Sequence, residues 1–76
     1  MKLTAVIKKG EKQYVALCPE LDVVSQGYTV EEAIKNLKEA VDLYIEVEGI
    51  PDGVSNQEAF ITSIEVADAK ASKIIG

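Results

Sequence analysis

The sequence predicts an α+β domain of order β-β-β-α-β, an antiparallel sheet with one long helix on one face. Three observations lead there. Residues 2–28 alternate apolar and polar side chains in short runs split by turn formers, which is the period of strands. From Val30 to Val47 apolar residues recur every three or four positions behind a capping signal, which is the period of a helix. After Gly49 and Pro51 the alternation resumes over Ala59 to Ala67.

The first strand is read from Lys2 to Lys9, with Leu3, Ala5 and Ile7 on one face and Lys2, Thr4, Val6 and Lys8 on the other. Lys9-Gly10-Glu11-Lys12 forms a turn, because glycine admits positive φ and its neighbours are polar. Gln13 to Cys18 is the second strand and completes a hairpin. Pro19 ends the pairing, since it has no N–H to donate. Glu20-Leu21-Asp22 connects to a short third strand, Val23 to Tyr28, interrupted by Gly27.

Thr29 caps the helix and Glu32, three residues on, completes a capping box. Glu31 and Glu32 also suit the positive end of the helix dipole. Val30, Ala33, Ile34, Leu37, Ala40, Val41, Tyr44 and Val47 form one apolar stripe. Glu31, Lys35, Lys38, Glu39, Asp42 and Glu46 lie opposite, with Leu43 and Ile45 at the two margins. Gly49 ends the helix and Pro51 prevents its continuation.

Asp52 to Glu58 is a polar loop before the fourth strand, Ala59 to Ala67, which has Phe60, Thr62, Ile64 and Val66 on one face. We expect a single domain over residues 1–76, its core within 2–67, with 68–76 as a tail or an extra edge strand. The helix stripe covers one sheet face. The other face shows Val6 with either Val15 and Leu17 or Tyr14 and Cys18, an apolar surface that points to a homo-oligomer, dimeric or larger.

Composition narrows the function. A chain of 76 residues buries only a thin core, and association would help stabilise it. Thirteen acidic residues face eight basic ones, for a net charge of -5, and every basic residue is Lys. Without a basic patch or any Arg, direct nucleic-acid binding is not expected. An acidic surface draws a basic partner instead. Cys18 is the only cysteine, the N-terminus lacks a signal-peptide block, and no run of apolar residues is long enough to span a membrane. A cytoplasmic protein is expected.

Catalysis is not expected. The chain has no His, so the commonest general base and the usual triads and metal sites are missing. No cofactor-binding glycine motif is present. Cys18 lacks an activating base and reads as a small apolar residue at a strand end. Asp22, Asp42 and Asp52 would have to converge to hold a metal, and their spacing matches no known site. The informative residues lie late in the helix. Glu39, Asp42 and Glu46 are like-charged neighbours three and four residues apart, and Glu46 and Glu48 sit at the negative end of the dipole. A basic partner relieves both costs. Glu39, Asp42, Leu43 and Glu46 are therefore the candidate partner-binding residues, weighed against an ordinary solvated face.

The stretch from Tyr14 to Ala33, YVALCPELDVVSQGYTVEEA, resembles the HicB-like antitoxin family: a strand ending in a Pro-Glu-Leu turn, a short strand, a Gly, a Thr cap and an acid-rich helix start. Asn36-Leu37-Lys38-Glu39-Ala40 and Tyr44 continue it, so the likeness covers roughly residues 3–50. Tyr28 departs from the small or acidic residue common there. The resemblance implies a partial ribonuclease-H-like fold without nuclease activity. It also implies neutralisation of a small basic RNA-cleaving toxin, HicA, by covering its active site. Many members carry a C-terminal DNA-binding segment; this chain reads as a short form without one. The alternative is an orphan homo-oligomeric binding or scaffold module of the same fold with no toxin partner.

Overall fold

The computed structural model describes residues 1–54 and 58–67. Three strands precede one helix: β1 (Val6–Lys9), β2 (Tyr14–Cys18), β3 (Val23–Gly27) and α1 (Val30–Glu48). The sheet is antiparallel in the order β1-β2-β3. This is the expected α+β arrangement of three strands followed by a long helix.

Register decides which residues meet the helix. Ile7 pairs with Ala16 and Ala16 with Ser25. Ala16 and Cys18 are buried in one cluster with Leu21, Ala33, Leu37 and Val54. A strand alternates faces, so Val15 and Leu17 lie on the outer face. Of the two alternatives read from the sequence, the structure takes Val15 and Leu17. There Leu17 pairs with Val6 on one side and Val24 on the other, making an apolar row across the sheet.

The first strand is half the expected length. Pairing stops at Val6 opposite Leu17, because beyond Cys18 the partner strand offers Pro19, which has no N–H. A side chain takes over. The Glu20 carboxylate accepts from the Thr4 N–H at 3.0 Å and from the Thr4 hydroxyl at 2.6 Å. The chain then turns at Asp22, whose φ of 55° is a left-handed conformation that Asp tolerates.

The helix start follows the capping signal with one shift. The Glu32 N–H donates to the Thr29 hydroxyl at 3.0 Å, but the Glu32 carboxylate accepts from the Tyr28 N–H, at 2.7 Å, not from that of Thr29. Gly27 is buried, and a Cβ there would lie 2.5 Å from the Ala33 nitrogen. The helix therefore seats directly on the backbone of β3. At its other end Gly49 adopts a φ of 79° and donates to the Ile45 carbonyl.

Two expectations are corrected. Val30, Ile34 and Val47 belong to the predicted stripe but are exposed, Val47 most of all, while Ile45, placed at the margin, packs on the core. A 19-residue helix is about 28 Å long and a five-residue strand about 17 Å. The last helical turn thus overhangs the sheet. The fourth strand over Ala59–Ala67 is not formed: every residue from 58 to 67 is exposed and none is in a strand. Alternation supplies a strand's faces, but only an edge to pair with makes it a strand. The extra edge strand considered for residues 68–76 lies outside the described residues.

Candidate functional site

The outer face of α1 carries all four candidate partner-binding residues. Glu39, Asp42, Leu43 and Glu46 are exposed, at helical steps of three and four that put them side by side. Asp42 pairs with Lys38 at 3.2 Å, one turn back and largely exposed, so the pair adds little stability. The last turn contains no basic residue. Leu43, 60% exposed, stands between the acids. The rigid element beneath this face is the sheet-backed helix. The arrangement can meet a surface that offers ammonium or guanidinium groups around an apolar spot.

The other residues weighed for chemistry fall apart. Asp22 is in the turn before β3, Asp42 on α1 and Asp52 in the following loop. Among the described residues no three His, Cys, Asp or Glu side chains gather to hold a metal. Cys18 is buried and free. Burial pushes its thiol pKa up, opposed by a backbone hydrogen bond from Leu21, and the Glu20 carboxylate raises it further. Such a thiol stays protonated and unreactive at neutral pH.

Two features escaped the sequence. One is the Glu20 tether. Its carboxyl is held below the ordinary range chiefly by the hydrogen bond from Thr4. The other is an open groove of about 320 Å³ between the start of β1 and the near flank of α1, lined by Leu3, Cys18, Ile34, Leu37, Val41 and Ile45. Its polar lining includes Thr4, Lys38 and Asp42, all three already engaged in the pairs described. A small-molecule site needs free convergent polar groups, so this groove suits an apolar polypeptide better. The alternation of residues 2–9 put Leu3, Ala5 and Ile7 on one face, but nothing in it marked that β1 begins only at Val6.

A curated relative from Helicobacter pylori strain J99, described as a UPF0150 protein, is 41% identical over 73 residues, spanning 91% of this chain and 100% of its own. No family model and no solved structure matches the chain.

Proposed function

This chain belongs to the UPF0150 family, and from that premise we propose that it is an antitoxin-like binding protein that neutralises a small basic RNA-cleaving toxin by protein–protein contact. The observation that carries this is the exposed acidic and apolar face of Glu39, Asp42, Leu43 and Glu46, on a chain of net charge -5. The likeness of residues 14–33 to HicB-like antitoxins supports it from a separate part of the sequence. On this reading the protein binds and does not catalyse, needs no cofactor or metal, and contacts no nucleic acid itself. It acts in the cytoplasm, where a lone thiol stays reduced.

Co-expression with the product of the neighbouring reading frame tests the proposal. A small basic protein should co-purify, its RNA cleavage should stop, and association should slow as salt rises. Reversing Glu39, Asp42 and Glu46 to Lys should abolish the complex while leaving the fold intact. A complex that survives the triple reversal sinks the assigned face, and no complex with any neighbouring product sinks the reading. The second reading, a homo-oligomeric binding or scaffold module with no toxin, is favoured by the exposed apolar segment at residues 59–67.

A further inference from the structure

We propose that residues 59–67 of one copy add as a fourth strand to the free edge of β1 in a second copy, and reciprocally, giving a strand-exchanged homodimer. The edge is prepared for this. In the hairpin the Gly10 N–H donates to the Gln13 carbonyl, toward β2, and the Thr4 N–H donates to Glu20 at the far end of the same side. Backbone groups alternate direction along an extended strand. Val6 and Lys8, in phase with both, face β2, so Ala5 and Ile7 direct their N–H and C=O groups to the open edge. The opposite edge of the sheet is already occupied in part: the Gln26 carbonyl on β3 accepts from the Asn36 side chain at 2.8 Å.

Beside the open edge lies the apolar groove. A strand laid along β1 sends every second side chain into it. Residues 59–67 alternate in the required way, with Phe60 and Ile64 in one set and Ile61 in the other. Phe60 is 89% and Ile64 82% exposed. The first set fills the groove over Leu3, Ile34 and Val41. The second set puts Ile61 on the outer face, extending the row of Val6, Leu17 and Val24. Charge agrees as well. Lys8 and Lys9 close β1, while the segment carries Glu65 and follows directly on Glu58.

The occupant is a second copy because one chain carries both halves and keeps them apart. All of residues 58–67 are exposed, and none of them lines the groove. The core within a chain is also small: six buried apolar side chains among the described residues, none aromatic. Reciprocal exchange doubles every new contact by symmetry and stabilises a domain too small to bury much alone. The groove meets the acidic face of α1 at Asp42, but the free edge of β1 and residues 59–67 carry the inference without the toxin reading.

Light scattering and residue-resolved hydrogen exchange on one dilution series test it. At high concentration the particle should have twice the single-chain mass, with the amides of 59–67 and of Ala5 and Ile7 protected. On dilution mass and protection should fall together. Ile64→Asp should halve the mass and speed exchange of those amides at least about tenfold, with α1 amides unchanged. Ile34→Asp, on the receiving groove, should do the same. Four results would overturn the proposal: a monomer at every concentration, a dimer whose 59–67 amides exchange freely, protection that ignores dilution because each segment fills its own groove, or a dimer surviving both substitutions.

Discussion

The Glu20 carboxylate does the work of a missing strand pair. Where the β1–β2 ladder has ended, it accepts from the Thr4 N–H, and it accepts from the Thr4 hydroxyl as well. Glu20→Gln should lower stability by about 1–2 kcal/mol, read from the urea midpoint, because charge-assisted hydrogen bonds become neutral ones. The pH dependence has a definite sign. The carboxyl titrates lower in the folded state than in the unfolded chain, so its contribution is complete above the ordinary carboxylate range. That contribution fades as the pH drops through the lowered value. Wild type and Glu20→Gln should therefore converge in acid and separate at neutral pH. Cys18, buried and held as a thiol, should react with a disulfide reagent only as fast as the domain opens, its rate rising with urea. The Glu20 contact was not legible in the sequence, because Thr4 lies 16 residues away and nothing local marks the pair. The apolar reading of Cys18 was legible, since alternation along 14–18 puts it with Ala16.

At the scale of the elements, local signals were read well and lengths were not. Thr29, Glu32 and Gly49 act within a turn of themselves, so their cap roles follow from neighbouring residues alone. Whether Val47 is core depends on where the sheet ends, and no residue near Val47 carries that information. Two substitutions separate packing from charge. Gly27→Ala forces a methyl against the Ala33 nitrogen and should cost about 1–3 kcal/mol, seen as a lower urea midpoint with helix content retained. Glu46→Lys relieves acidic crowding near the negative end of α1 and should raise stability by about 0.3–1 kcal/mol. The same change should weaken association with a basic partner. A protein that becomes steadier while binding worse would show that the face is kept for contact; unchanged binding would count against the face.

For the whole molecule, charge suggests a class of partner and alternation a count of four strands, of which the single chain forms three. The sequence marks residues 59–67 as strand-like, and the chain alone leaves them out of the sheet and out of the groove. A single-chain reading has no way to separate a strand formed within from one formed between copies. If exchange holds the molecule together, its thermal midpoint should climb with protein concentration and that climb should vanish in Ile64→Asp. One feature of the fold bears on the rest. With no side chain at Gly27, the helix rests on β3 at the thickness of bare backbone. That contact acts as a ruler. It fixes how far the acidic ridge of α1 stands above the sheet and how wide the groove gapes on the other flank. Any side chain at that position would raise the helix like a shim and detune both surfaces at once.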